Sequence, residues 1–524
     1  SVYSFQAGAA ELEFYAVGST VRGNKLKIRG GIMSGLNIYF SDFFNIDEDI
    51  IESYGAINIS LINDLPLFVD PFLLFNSEKP EYQKIHSDII SYLLFLQEQA
   101  KKYPNPPAGM LAAWYHFSEV KQTWLGFSLE GNSGRGLGHD FAINIHRGLQ
   151  TIFKDFGKET ITRSSHLEKL CLISRLVGRD KISDFTTNFT KKYLLEYTEA
   201  FATTYLEPRQ CLKFSVPRVE FCTGTHIWKS REYTLPCYKG DYVLLTPRDM
   251  LTRDDTFINR ADMIRNLQNI APSVEDAALR FALNQYFSDV LQHKKKEMSR
   301  TEKECAANAL IAEHPEIIDH YIKYKEDNEE QATSISKQVV QEVKQLFNCQ
   351  LQELTTLLHK HTDFYRSSGN SRDEAYRRVI FLKNVIEDMD GYRIFYINGK
   401  PLRRENDLQI MYRLVWYATE FDINREVNNG RGPVDFKVSK GARDSTLVEF
   451  KLASNTKLKK NLSNQVEIYK AANQTDRAIK VILYFSENEY AKVNGVLNEI
   501  GLQECPDIVL IDATGNKPSA SNAG

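Results

Sequence analysis

At 524 residues the chain exceeds one ordinary hydrophobic core, so about two to four domains are expected. Its 42% hydrophobic and 25% charged content is that of a soluble globular protein. A formal charge of −3 excludes nucleic-acid binding argued from the chain as a whole, so any such contact must come from local patches. No apolar run approaches the ~18 residues of a membrane span, and no charged start with an apolar middle marks a signal peptide. Seven cysteines, scattered and odd in number, form no disulfide framework and point to a reducing cytoplasm.

The chain opens on Ser1, and Met33 begins MSGLNIYFSDFFNIDED, which reads like a natural start. Residues 1–32 are therefore set apart as an N-terminal extension, with two short strands expected around the Arg22-Gly23-Asn24 turn. Residues 33–320 are expected to be a mixed α/β region that recognises or regulates. Within it, 57–75 mixes short apolar runs with Pro66 and Pro71, and Asp64 and Asp70 are assigned turn and cap roles in preference to a metal pair. A helix to about Lys102 should bury Ile85, Ile89, Leu93 and Leu96. The loop GNSGRGLG at 131–138 lacks the lysine and hydroxyl residue of a nucleotide P-loop, so it reads as a tight connection and no ATPase is expected.

Residues 150–210 read as helices, and 211–250 as several short strands broken by Pro217, Pro236 and Gly240. Cys211, Cys222, His226 and Cys237 lack the paired short spacing of a structural zinc site and read as ordinary thiols. Asp254 and Asp255 are expected to cap the helix that follows. A long helix is expected between about 326 and 361, inside a segment 321–367. Its seam of Val340, Val343, Phe347, Leu351, Leu354 and Leu358 would either pair two protomers as a coiled coil or pack within the chain. Ser371 and Glu374 form a candidate capping box for the next helix, and SSGNS at 367–371 is the best domain boundary.

From Arg404 to Lys470 the order reads helix, strand, strand, strand, helix. Alternation in GPVDFKVS places Val434, Phe436 and Val438 on one face and Asp435 and Lys437 on the other. In TLVEFKLA, Val448, Phe450 and Leu452 share a face, opposite Glu449 and Lys451. Pairing the strands as a hairpin gathers Asp435, Glu449 and Lys451 on one surface. Glu405, in the first turn of a helix with apolar Leu408, Met411, Leu414, Val415 and Ala418, can add a third acid. Hard divalent cations take such oxygens, activate water and neutralise a phosphodiester, while a lysine orients the water or stabilises developing charge. Nine Lys or Arg against four Asp or Glu between Arg431 and Lys470 make a local basic patch, with Arg431, Lys457, Lys459 and Lys460 placed to hold phosphates. Beyond it come a buried strand RAIKVILYF, a helix stopped by Gly501, and a last strand IVLID.

The residues Pro433, Asp435, Glu449 and Lys451, preceded by Glu405 and followed by Gln465 and Tyr469 in Q-x-x-x-Y spacing, resemble the PD-(D/E)XK nuclease superfamily in its RecB-like branch. The resemblance covers about 390–513. Within the multidomain α+β chain that the length leads one to expect, it implies that the C-terminal domain, 368–513, is an αβββαβ restriction-endonuclease-like α/β domain, and nothing about the remainder. The tail at 514–524 has nothing to bury and is expected to be disordered. The resemblance implies a magnesium- or manganese-dependent endodeoxyribonuclease in which Asp435, Glu449 and Glu405 hold the metal. Lys451 would act on the nucleophilic water, with Gln465 and Tyr469 orienting the site. DNA is the implied substrate, restriction or anti-phage defence the implied setting, and a partner protein of such a system the implied associate. The alternatives are a catalytically silent binding platform for nucleic acid or protein, and a ribonuclease on the same scaffold.

Overall fold

The computed structural model describes residues 38–126, 136–151, 156–173, 178–271, 274–292, 300–366, 369–416, 422–424, 436–439, 444–465 and 477–515, and shows a mixed α/β chain with many helices and several small sheets. The strand pair expected within 1–32 and the tail from 516 lie outside those residues.

The N-terminal half is dominated by helices that begin on capping side chains. In α1 (Glu48–Ser53) the Asp47 carboxylate accepts from the Asp49 amide at 3.0 Å. In α2 (Pro71–Phe75) Asp70 Oδ1 accepts from Phe72 N at 2.9 Å, the cap role expected of it. Its Oδ2 takes the Phe257 amide at 2.8 Å, tying the helix start to a distant segment. Ile85, Ile89, Leu93 and Leu96 are buried on α3 (Pro80–Lys102), which packs on α4 (Arg179–Tyr205).

Residues 211–250 correct the expectation of several short strands. β1 (Cys211–Cys222) and β2 (Ile227–Tyr238) are 12 residues each and pair as one long antiparallel hairpin. The register shifts between Val216 and Glu220, which takes Pro217 out of the hydrogen-bonded ladder and lets the strand run on. A second correction concerns the aspartate pair. Asn259, not Asp254 or Asp255, caps α5 (Arg260–Ile270), accepting from Asp262 N at 2.8 Å, while Asp254 pairs with Arg404.

The expected long helix is interrupted. α6 (Ile317–Asp327) stops at Asn328, α7 (Glu329–Lys344) follows, and a π-helical turn at Gln345–Gln350 leads into α8 (Leu351–His361). Val343, Phe347 and Leu351 are separated by two successive four-residue steps. A π turn absorbs the extra residue, so the seam stays on one side. Val340, Val343, Phe347, Leu351, Leu354 and Leu358 are all buried within the chain, so the seam that could have paired protomers is covered by the chain itself. Asn370 caps α9 (Ser371–Asp388), accepting from Asp373 N at 2.9 Å. The Ser371–Glu374 box does not form, because Ser371 Oγ is drawn to Asp444 and Thr446 at 2.8 Å and Glu374 pairs with buried Arg378 at 2.6 Å.

After α10 (Glu405–Trp416) come β3 (Asp422–Asn424), β4 (Phe436–Ser439), β5 (Ser445–Leu452), β6 (Ala478–Tyr484) and β7 (Ile508–Asp512). They form one sheet in the order β7-β6-β5-β4-β3, with β5 in the centre, antiparallel to β4 and parallel to β6. Phe436, Val438, Val448 and Phe450 are buried on one face of the sheet, where the Tyr412 ring of α10 sits 4.2 Å from Phe450 and 5.0 Å from Phe436 and where α9 also packs. On the opposite face Ile482 packs with Leu458 and Leu462, from α11 (Leu458–Lys460) and the π turn Asn461–Gln465, and with Val493 and Leu497 of α12 (Glu487–Glu499). Each buried aliphatic or Phe side chain contributes roughly 1.5–3 kcal/mol, so these two apolar layers hold the sheet.

A buried carboxylate and lysine cluster at the end of the central strand

Alternation along β5 turns Glu449 and Lys451 to the face shared with Ile482, since Lys451 is the register partner of Ile482 on the parallel neighbour. Both are buried, because β5 is the central strand with helices on each face. Lys451 Nζ lies 3.1 Å from Glu449 Oε1 and 3.6 Å from Glu405 Oε2. Three residues predicted from the sequence therefore meet at the C-terminal end of β5. Glu405 is the most open of them, its side chain 23% exposed against 7% for Glu449 and 11% for Lys451.

Glu405 reaches this place from the first turn of α10, where the helix N-terminus favours negative charge. Its Oε1 accepts from Asn455 Nδ2 at 2.5 Å and from Leu452 N at 3.4 Å, which fixes it against the strand end. Arg404 pairs with Asp254 and Asp407 with Arg253, so the turn carrying Glu405 is held on both sides by the N-terminal half. Burial is the largest influence on that second pair, raising the Asp407 carboxyl and lowering the Arg253 guanidinium from their ordinary ranges.

The cluster is costly as a purely structural device. Removing three ionisable groups from water is repaid only by close pairing, and apolar side chains of the same volume would serve the fold at least as well. Two carboxylates offer hard oxygen donors of the kind magnesium takes alongside substrate oxygens, so the donor set fits such an ion. Among the described residues no group of three or more His, Cys, Asp or Glu converges to hold a metal. Cys211, Cys222 and Cys237 are free thiols.

Asp435, Arg431 and Tyr469 lie outside the described residues. Gln465 ends the π turn after α11, and its side chain lies outside them as well. Lys457, Lys459 and Lys460 are exposed around the start of α11, a few residues beyond Asn455. Lys459 pairs with Glu499 at 2.7 Å in an exposed bridge. Three contributors escaped the sequence reading. Asn455 has no motif to announce it. Lys492 of α12 donates to the carbonyls of Ala453 at 2.8 Å and Asn455 at 3.1 Å, adding a cation to this rim. Lys480 is the register partner of Glu449, is buried, and donates to Leu462 O at 2.7 Å. A lysine inside the apolar run RAIKVILYF was the signal for it.

Two family models match the chain, each described as a domain of unknown function: DUF8370 over residues 45–259 and DUF8371 over residues 371–487. The second spans Glu405, Glu449 and Lys451, and the first ends just beyond Arg253 and Asp254. No match was found among curated proteins or among solved structures. Among the described residues no helix is long and apolar enough to cross a membrane.

Proposed function

We propose that the chain is a metal-dependent nuclease that hydrolyses phosphodiester bonds in DNA. The observation that supports this reading best is the meeting of Glu405 and Glu449 around the Lys451 ammonium, at the end of the central strand of a five-stranded sheet. Glu405, Glu449 and Asp435 would hold magnesium or manganese. Such an ion, when bound, lowers the pKa of a water and neutralises charge on a phosphodiester. Lys451 would donate to the attacking water or to the developing phosphorane oxygens. Asn455 fixes Glu405, and Gln465 and Tyr469 would orient the scissile phosphate. Arg431, Lys457, Lys459 and Lys460 would grip the flanking backbone, with Lys492 adding a cation at Asn455. The Lys459–Glu499 bridge is no obstacle, because an exposed pair is worth about 0–1 kcal/mol. This reading extends, by analogy with nucleases that follow a variable region, to restriction or anti-phage defence in the cytoplasm with a partner protein.

One observation favours a second reading, a silent platform for nucleic acid or protein: Lys451 is engaged by both acids and so serves as an internal counter-ion. The two are separated by incubating the purified full chain with supercoiled plasmid and, separately, with single-stranded RNA, in magnesium, manganese or EDTA. Metal-dependent nicking of plasmid is expected. Cleavage of RNA alone turns the assignment to a ribonuclease, and inertness toward both substrates in every metal overturns the enzymatic reading.

A further inference from the structure

Away from the carboxylate and lysine cluster, a cavity of about 410 Å³ opens between α1, α4, residues 247–249 and α7. That volume suits a small molecule. One part of its wall is aromatic. Tyr193 and Tyr197 stack with ring centroids 5.8 Å apart and planes 23° from parallel, and Tyr54 lies 4.5 Å from Tyr197. The Tyr54 and Tyr197 hydroxyls each donate to the other residue's carbonyl at 2.8 Å, which locks both rings in place.

The other part is charged, with Lys79, Arg248, Lys337 and Lys344 around the same space beside the carboxylates of Glu48, Glu52 and Asp249, an excess of one positive charge. Lys79 is held by Asp249 at 2.5 Å and Lys344 by Glu52. Arg248 donates one N–H to the Glu52 carbonyl at 2.8 Å, which leaves most of its donor fork for other partners. Lys337 is exposed and has no ion-pair partner among the described residues. An apolar metabolite would leave these cations without a role, and a bare inorganic anion would leave the tyrosines without one. Two of the cations are already neutralised by carboxylates, which favours a compact ligand over a nucleic-acid strand.

We propose that this cavity binds a nucleoside phosphate, with its base on the Tyr54–Tyr197 wall and its phosphate oxygens on Lys337 and Arg248. The site is placed to report occupancy. Its wall residue Asn58 accepts from Asn348 at 3.0 Å in the π turn that continues α7, and Gln350 of that turn donates to Tyr396 O at 2.8 Å in the C-terminal half. A ligand bridging α1 and α7 thus loads the connection to the sheet domain. The proposal does not rest on the nuclease reading.

Titration calorimetry of the full chain in EDTA, with ATP, GTP, adenosine and inorganic triphosphate in separate arms, tests it. Saturable binding of ATP or GTP is expected, at least ~10-fold tighter than either adenosine or triphosphate, a gap of about 1.4 kcal/mol. Lys337→Glu, an exposed substitution that spares the core, should weaken it at least ~10-fold. Absence of saturable binding, indifference to Lys337→Glu, or triphosphate binding as tight as ATP each overturns the proposal.

Discussion

Arg253 and Asp407 form an ion pair in which each side chain is only 4% exposed, and it joins the N-terminal half to the first turn of α10, two residues past Glu405. Truncating one partner strands the other charge in the interior. Arg253→Met or Asp407→Leu is expected to cost about 3–5 kcal/mol in chemical denaturation, and the double variant to recover most of that loss. Costs that simply add in the double variant would contradict the pairing.

Lys191 gives a pH signature. Its amine is buried beneath the β1 hairpin and donates to Pro217 O at 2.9 Å, and burial, then neighbouring Arg218, lowers its pKa to about 8. The unfolded chain keeps this proton to about pH 10.4. Between about 8 and 10.4 the unfolded state binds more protons, so this group makes stability rise with pH across that window. Compared with Lys191→Met, the wild type should gain roughly 1–3 kcal/mol in denaturant unfolding from pH 8 to pH 10. A flat difference between the two would show that the amine is not desolvated.

Gly136, at the end of the glycine-rich loop, has φ +59° and lies where an added Cβ would come within 2.6 Å of Phe117 O and 2.7 Å of Glu119 N. The neighbouring Leu137 amide donates to Phe117 O at 2.7 Å, so the loop end is pressed against that strand-like pairing. Gly136→Ala is expected to destabilise by about 1–3 kcal/mol in thermal or denaturant melts. A neutral substitution would contradict the close approach.

The parts of the site that lie on one element were legible. Alternation put Glu449 beside Lys451, and three- and four-residue spacing set Glu405 at the start of a helix, because local periodicity governs both. What escaped depends on tertiary placement. Nothing in the spacing of Arg253 and Asp407 marks them as partners, and Asn455 becomes meaningful only once α10 is laid against the end of β5. The cap at Asn370 was misplaced by one residue because Asn and Ser are equally good caps, and Asp444, distant in sequence, decides between them. The long β1–β2 hairpin was broken up because a proline reads as a stop, whereas a bulge removes its cost.

The most direct test of the carboxylate and lysine cluster is the initial rate of supercoiled-plasmid nicking in magnesium, measured for wild type beside Asp435→Ala, Glu449→Gln and Lys451→Ala, with circular dichroism to confirm folding. The wild type should nick the plasmid, and each folded variant should lose at least ~100-fold in rate. Folded variants that nick as fast as the wild type would contradict a role for Glu449 and Lys451 in cleavage.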